Sequence, residues 1–508
     1  MSGSSINWSS VYNTPIGQIL QDLNPSTFMG LITQESNTQI AGYQNQESTD
    51  KTQISAWTTL QSDANNILSD LTTLSSASTY NQLTTSSSDS VVATAVDQTA
   101  QQGSYSIYVN SLAQAEIDQG NSTTNLTVTN PNATLTLSNG SLLQGQFSIT
   151  VGGKTASVTI PTTTGESLNA LASQINSTSG MPVTASVVKN SSGNWILEIQ
   201  ANQTGQQITY SESSTTNTPL VDLGVISSSS STTAANVYQS ASQAQVSFGT
   251  SFNSSESITS TSNTFTNLIP GMTVTALSTG TTTITVAPNV SAMASSVKQF
   301  ASDWNQWVTD TQTLAEAGTV TESGSGTSAS YSYAPNTKQV VQSGLPMNAI
   351  NAAQQIMGNA TNGLTTSAYQ SLGDIGLSFT GTGQITVNNS ALTQALANDP
   401  TAVKTLFQNL SSALGTSTST SGAILTGPIA SFAHGAQSVA SGAISTLNTQ
   451  VSQDQSNVTL LNQQISAQEQ QAITQYAQWV NQVAKDSEQY SLLNALYNQS
   501  SGSSSSGG

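Results

Sequence analysis

Two segments near the ends of the chain place apolar residues at the three- and four-residue steps of an amphipathic helix. In the first segment, residues 47–75, one predicted helical face holds Trp57, Leu60, Ile67 and Leu71. The second segment, residues 441–500, fills the a and d positions of a heptad repeat. These positions are Ile444, Leu447, Val451, Val458, Leu461 and Ile465, with Asp454 as the one break, and then, after a one-residue slip, Ile473, Tyr476, Val480 and Val483.

Long, narrow apolar seams favour pairing, because neither helix can bury its seam alone. We therefore predict that the two helical ends pair, either as an ordinary bundle within one chain or between chains. Both arrangements can hold in different parts of the same helices. Residues 1–46 carry short apolar groups separated by Pro15 and Pro25, and we expect them to be mobile unless a partner orders them.

Between the helical ends, the apolar period changes to the two-residue alternation of strands. Tyr105, Ile107 and Val109 form one face of the first clear strand. Further strands are predicted at 125–129, 134–137, 146–151, 155–160, 183–188 and 195–200, and again within 234–288. One amphipathic helix interrupts them, with Leu168 and Ile175 on its apolar face and Thr164 or Gly165 at its start.

The pattern predicts an α+β multidomain protein, with coiled-coil ends that pair and two β-rich head domains inserted between them. A flexible loop is predicted at 318–331, and a hairpin across 375–387. The predicted domains are 1–46 (mobile), 47–75 (first half of a helical leg), 76–118 with 234–290 (head), 119–233 (second, inserted head), 291–440 (second half of the leg), 441–500 (coiled coil) and 501–508 (disordered tail).

Composition excludes several partners. Only 6% of the 508 residues are charged, against roughly 25% in an ordinary domain, and the net charge is −18. All seven basic residues are isolated lysines, so the clustered cations that bind a nucleic-acid backbone or an anionic membrane are missing. No stretch reaches the ~18 apolar residues of a membrane span.

A surface kept soluble by hydroxyls and amides loses little when carboxylates protonate, so the composition suggests an acidic outside medium. Compositional drift of a secreted protein explains it equally well. There is no cysteine, which excludes disulfides and thiolate metal sites. The first residues lack the basic and apolar regions of a Sec signal, so we expect export by a dedicated machine.

Catalytic chemistry finds little support in the sequence. His434 is the only histidine, which excludes a two-histidine metal site. Carboxylate pairs for glycoside hydrolysis, such as Glu116 with Asp118 or Glu198 with Glu212, have no distinguishing signal. The run at 152–155 lacks the first glycine of a phosphate loop, which leaves a β-turn. We predict no enzyme, no cofactor and no metal.

Aromatic residues offer one further possibility. Trp195, Tyr105 and Tyr331 could stack on sugars if exposed, but filling small β cores is the favoured role.

Five segments carry a resemblance to a known family. Residues 103–115 (GSYSIYVNSLAQA) are similar to its strand pattern G-x-Y-x-I-x-V-x-x-L-A-Q-A, and residues 166–199 are similar to its helix–strand–strand unit. Residues 267–277 (NLIPGMTVTAL), 371–377 (SLGDIGL) and 399–407 (DPTAVKTLF) resemble three further motifs in the right order. The family is that of the bacterial flagellar filament cap protein, or hook-associated protein 2. Its usual N-terminal start is missing here.

The resemblance implies an extracellular protein, exported by the flagellar type III apparatus, that forms a ring of about five or six copies at the filament tip. It also implies that the protein helps flagellin fold and insert, without catalytic residues. The expected oligomer or filament interface comprises Trp57, Leu60, Ile67, Leu71, Ile444, Leu447, Val451, Leu461, Ile465, Tyr476 and Val480. The alternatives are another axial-filament protein, such as a hook–filament junction protein, and a surface adhesin that binds polysaccharide.

Overall fold

The computed structural model describes residues 25–213, 217–315, 318–323, 330–335, 339–358, 368–415 and 427–502. The chain divides into two compact units. The described parts of Met1–Ser76 and Ala294–Gly508 form the helical unit, and those of Ala77–Met293 form the β unit. The predicted α+β class, with helices from both ends of the chain and a β-rich centre, is confirmed.

The helices are α1 (Pro25–Ser75), α2 (Ala77–Tyr80), α3 (Leu168–Ser177), α4 (Pro219–Asp222), α5 (Val290–Leu314), α6 (Leu345–Gly358), α7 (Asn389–Asn398), α8 (Pro400–Leu414), α9 (Pro428–Ala433) and α10 (Val439–Gly502). The strands are β1 (Leu83–Ser87), β2 (Val92–Val96), β3 (Gly103–Ser111), β4 (Ala115–Gln119), β5 (Gly145–Val151), β6 (Lys154–Ile160), β7 (Val183–Lys189), β8 (Trp195–Thr204), β9 (Ile208–Glu212), β10 (Val237–Gln239), β11 (Ala244–Phe248), β12 (Ile258–Ser260), β13 (Thr264–Ile269), β14 (Met272–Ala276), β15 (Gly280–Pro288), β16 (Gly318–Ser323), β17 (Ser330–Pro335), β18 (Leu377–Phe379) and β19 (Ile385–Val387).

The first helix begins much earlier than the sequence indicates. We expected a start near residue 47, but α1 begins at Pro25. Proline suits the first turn of a helix, because it has no N–H to leave unpaired and its φ is already helical. Residues 25–46, predicted to be mobile, are therefore helical, while residues 1–24 lie outside the described residues.

Aromatic side chains from α1, α5 and α9 form the centre of the helical unit. Trp57 packs on Phe432 with 6.1 Å between ring centroids, and Phe432 packs on Trp307 at 5.6 Å. Trp304 meets Trp307 edge to face and is fully buried. Each large side chain buried in this way stabilises the fold by about 1.5–3 kcal/mol. These contacts join α1 to helices far away in sequence.

Two hairpins accompany these helices. The predicted hairpin at 375–387 is present as β18 and β19, and Asn305 of α5 holds it by bonding both the N–H (2.6 Å) and the carbonyl (2.8 Å) of Ile385. The flexible loop predicted at 318–331 is wrong at its two ends, because residues 318–323 form β16 and residues 330–331 begin β17, and these two strands pair. Residues 324–329 of the predicted loop lie outside the described residues.

Two apolar cores lie in the β unit. The first is built on a five-stranded sheet, in the order β1-β15-β3-β11-β12, and a three-stranded sheet, β13-β14-β2, with Ile107 and Val246 fully buried. The second is built on β10-β4-β8-β7 and β6-β5-β9 together with α3, with Phe147 and Leu197 fully buried. All the described pairings are antiparallel.

Some local predictions in the β unit are wrong. Residues 125–129 and 134–137 form isolated bridges, Val128 to Trp195 and Thr134 to Ser167 among them, and not strands. Local β propensity cannot supply a neighbouring strand, and these segments have none along their length. Helix α3 begins after Ser167, whose hydroxyl accepts a hydrogen bond from the Ala170 N–H, and not after Thr164 or Gly165.

The predicted head boundaries stay a prediction, but one of them divides a strand. The boundary between residues 118 and 119 falls inside β4, which pairs with β8 in the second sheet. Strand β10 pairs with β4 as well. Where the chain passes between the two cores, the backbones come close: a Cβ on Gly205 (φ +71°) would lie 2.6 Å from the backbone of Thr261. Only glycine fits at this crossing.

Candidate assembly surfaces

The two terminal helices run antiparallel to each other along most of α1. The Nε2 of Gln61 donates to the hydroxyl of Ser441 at 2.8 Å, and the Nε2 of Gln455 donates to Glu47 at 2.8 Å. As the residue number falls on α1, it rises on α10, so the two helices lie in opposite directions. The predicted pairing of the helical ends therefore occurs within a single chain.

The part of α1 before residue 54 contributes a polar seam to this pair. Thr33, Ser36, Ile40, Tyr43, Glu47 and Asp50 recur at the spacing of one heptad face, and they are less exposed than the residues between them. Thr33 and Asp50 are buried. Glu47 also accepts a hydrogen bond from Lys51 at 2.6 Å, which lowers the pKa of its carboxyl. A seam of this composition gains less from the hydrophobic effect than an apolar seam of the same length, so we expect it to hold the helices more loosely.

The predicted interface residues of α1 belong to the core of the helical unit. Trp57 is 6% exposed, and Leu60, Ile67 and Leu71 are fully buried. Helices α8, α9 and α10 pack against α1. In this structure these side chains therefore stabilise the unit from within, and their role in an oligomer stays a prediction.

The predicted interface residues of α10 are less completely buried. Leu447, Val451 and Val480 are buried, whereas four others are half-buried: Ile444, Leu461, Ile465 and Tyr476. The slip in the heptad occurs slightly later than predicted. Ala472, seven residues after Ile465, is buried and Ile473 is 51% exposed, so the seam keeps its first register through Ala472 and slips before Tyr476. Half-buried apolar side chains on a long helix leave room for a second partner.

The last turns of α10 expose an apolar face that the sequence analysis missed. Tyr490, Leu493 and Tyr497 are 79%, 69% and 72% exposed, and Leu492 and Leu496 lie beside them. We call residues 490–497 the distal face. Their three- and four-residue spacing was the available signal. A contiguous exposed apolar patch is typical of an interaction site.

The carboxylates considered for glycoside hydrolysis lie inside the β unit. Asp118 is fully buried and accepts a hydrogen bond from the Tyr210 hydroxyl at 2.7 Å, while the neighbouring Glu116 is 3% exposed. Burial raises the pKa of Asp118 to about 7, although the Tyr210 bond opposes this, and burial also raises the pKa of Glu116. Neither carboxyl faces a cleft where a sugar could bind.

The second pair has structural partners too. Glu198 accepts hydrogen bonds from Gln119 and Ser186, and Glu212 accepts one from the Leu220 N–H at 2.6 Å. Gly152 and Gly153 form the turn between β5 and β6, both at positive φ. The described residues hold no cluster of three or more metal-binding side chains.

The candidate sugar-stacking aromatics are partly buried. Trp195 packs against the second core with Lys189 5.6 Å above its ring, and Tyr105 packs against the first core and donates to the Gln101 carbonyl at 2.9 Å. The side chain of Tyr331 lies outside the described residues. Among the described helices, none combines the length and the hydropathy that a bilayer span needs.

Comparison with known families gives three matches. Residues 25–116 match the model of the flagellar hook-associated protein 2 N-terminus, and residues 241–485 match that of the flagellar hook-associated protein 2 C-terminus. Together these cover about two thirds of the chain. Residues 146–197 match the flagellin hook IN motif. No curated protein matches the chain.

One solved structure shares the fold over most of this chain, and two others align with parts of it. The D1-D2-D3 domains of the flagellar cap protein FliD from Escherichia coli align with a TM-score of 0.52 at 18% identity, covering 77% of this chain and 99% of theirs. FliD from Pseudomonas aeruginosa aligns over 46% of this chain and all of its own, at 21% identity and a TM-score of 0.34. FliD from Bdellovibrio bacteriovorus covers 39% of this chain and 99% of its own, at 20% identity and a TM-score of 0.27.

Proposed function

The chain belongs to the flagellar hook-associated protein 2 family, and from that premise we propose that it caps the tip of a bacterial flagellar filament. In this proposal it acts outside the cell after export through the flagellar type III apparatus. About five or six copies form a closed ring. The ring retains newly exported flagellin until it folds and inserts, and no covalent step is required.

The distal face of α10 is the observation that carries this proposal. Its exposed leucines, Leu492, Leu493 and Leu496, present apolar surface to solvent, and a filament end built from helices would offer apolar grooves that such a surface fits. The loose polar seam between α1 and α10 supports the same role. A helix pair that holds weakly can shift as subunits are added beneath the cap.

Identical copies in a ring must contact each other through two different surfaces. We propose that the half-buried residues Leu461, Ile465 and Tyr476 of α10 supply one of them.

Electron microscopy of filaments with this protein gold-labelled tests the proposal. We expect label at the distal tip, and we expect cells that lack the protein to release unpolymerised flagellin into the medium. Label at the junction with the hook would instead support the junction-protein alternative. Label along the cell surface, with glycan-array binding by the β unit, would support the adhesin alternative.

A pair of variants connects the test to the distal face. We expect Leu493→Asp with Leu496→Asp to leave the helical unit folded, because both side chains are exposed, and to remove the protein from filament tips. Ser491→Asp with Asn494→Asp adds the same charge on the same exposed turns without removing apolar surface, and should retain tip binding. Equal loss in both variants would show that the apolar face is not the anchor.

A further inference from the structure

Two pairs of aspartates face each other between α1 and α5 in the helical unit. Asp63 lies within hydrogen-bonding reach of Asp310, and Asp70 lies within hydrogen-bonding reach of Asp303. The two residues on each helix are seven positions apart, so both pairs lie on the same line of contact. Two ionised carboxylates can only accept hydrogen bonds, so a bond between them requires a proton on one member.

The α1 carboxyls are poorly compensated. Asp63 is 9% exposed and Asp70 is half-buried, and the Oδ2 atom of each is buried without a hydrogen-bond donor. On the opposite helix, Gln299 donates to Asp303 at 2.9 Å and Gln306 donates to Asp310 at 2.8 Å. Each carboxyl on α5 therefore has an amide donor, whereas the buried Oδ2 atoms on α1 have none.

Among the residues that the structure describes, no cation replaces that proton. The charged groups that act on Asp63 there are Asp310 and Asp303, and the one that acts on Asp70 is Asp303. Lys51 of α1, Lys298 of α5, Lys404 of α8 and His434 after α9 are the basic groups on or next to the packed helices, and none of them contributes at either carboxyl. Lys51 is bound to Glu47 instead. In α10, the basic group is Lys485, near the far end.

We propose that each aspartate pair is closed by one shared proton, so that the α1–α5 contact is an acid-dependent lock. The lock holds the helical unit together in an acidic medium and weakens as the medium approaches neutrality. This inference concerns the chain's own stability and does not rest on the proposed function. It gives a physical basis to the acidic-medium interpretation of the composition, which the low charge alone left undecided.

The direction of the pH dependence follows from linkage. Burial, followed by the facing carboxylate, raises the pKa of Asp63 and of Asp70 to about 7, above the ordinary value of 3.8. Between these limits the folded protein retains protons that the unfolded chain has lost. The stabilisation is therefore complete below about pH 4 and is lost as the pH rises through about 7.

Thermal unfolding of the full chain, followed by helical circular dichroism, tests the lock. We expect the melting temperature of the helical unit to fall by about 5–10 °C from pH 4 to pH 8. In Asp63→Asn with Asp70→Asn, an amide donor replaces each proton, so the fall should shrink to within about 2 °C. The reciprocal pair Asp303→Asn with Asp310→Asn should have the same effect, which protects the test against one variant that folds poorly.

The matched control is Asp486→Asn with Glu488→Gln, which removes two negative charges from exposed positions of α10. It should retain the pH dependence of the unchanged protein. A melting temperature that stays constant or rises toward pH 8 in the unchanged protein would overturn the proposal. So would an equal effect of the control, or a rescue by calcium at pH 8 that requires the aspartates, because the pairs would then hold a cation.

Discussion

The α1–α10 pair and the second core of the β unit bury their contacts in different ways. The β core encloses Phe147, Ile149 and Leu197 completely, with apolar side chains from strands of two sheets and from α3. The helix pair buries Thr33 and Asp50 and leaves Leu461 and Ile465 half-covered. Apolar burial stabilises by about 25 cal/mol per Å². We therefore expect the β core to be rigid and the helix pair to change its packing more easily.

Among the variants that test this comparison, one that leaves a cavity in the β core should lose the most stability. We expect Phe147→Ala to destabilise the β unit by about 3–5 kcal/mol, because the emptied volume cannot collapse between two sheets. Phe248→Ala, at a site that is 40% exposed in the same unit, should cost less than about 1 kcal/mol. Calorimetry, together with denaturant unfolding followed by circular dichroism, distinguishes the two variants. A similar loss in both variants would mean that the core is not the rigid part.

Charges placed in the half-buried seam should act on assembly. We expect Leu461→Asp with Ile465→Asp to abolish ring formation and to weaken the helix pair by about 2–4 kcal/mol, because carboxylates would replace apolar contacts. The β unit should remain folded. Light scattering measures the oligomer, and proteolysis followed by mass spectrometry checks the β unit. Persistence of the full oligomer would contradict the assignment of this seam to assembly.

Removing one buried hydroxyl should give a moderate, pH-dependent effect. We expect Tyr210→Phe to destabilise the β unit by about 1–3 kcal/mol, because Asp118 loses its 2.7 Å donor. The Tyr210 bond lowers the pKa of Asp118, which burial holds at about 7, so its loss raises that pKa further. The damage should therefore be larger at pH 8 than at pH 5. Melting curves at the two pH values measure it, and equal losses would argue against the role of the ionised carboxylate.

The smallest effect is expected at the exposed hydrogen bond between the helices. We expect Gln455→Ala to shift the melting temperature of the helical unit by less than about 2 °C, because the Gln455 side chain that donates to Glu47 is exposed to water. A larger shift, measured by circular dichroism at low salt, would mean that polar contacts fix the alignment of the helices. Gln453→Ala, an exposed glutamine two residues away, is the matched control.

Periodicity predicted the elements whose own side chains determine their structure. The seam of α10, the strand through Ile107 and Val109, and the hairpin of β18 and β19 all follow from the sequence. The start of α1 could not be predicted in the same way. Its seam before residue 54 includes Thr33, Glu47 and Asp50, which carry no apolar period. The helix there depends on a partner that is distant in sequence.

Contacts between distant segments account for the remaining differences. The segments at 125–129 and 134–137 have β propensity but lack a strand beside them. The aspartate pairs join α1 to a helix more than two hundred residues later, so no local pattern marks them. At the distal face the sequence does contain a signal, because Tyr490, Leu493 and Tyr497 have helical spacing. Their exposure to solvent could be known only from the structure.

Helix α10 is one unbroken helix, so the number of its residues fixes the distance between its first turn and the distal face. At about 1.5 Å per residue, its 64 residues span about 96 Å, and the distal face lies about 75–90 Å beyond its first turn. A seven-residue insertion would increase that distance by about 10 Å and rotate the distal face around the helix axis only slightly. One added residue would rotate the face by about 100°. The position and the angle of the contact are thus both set by counting residues.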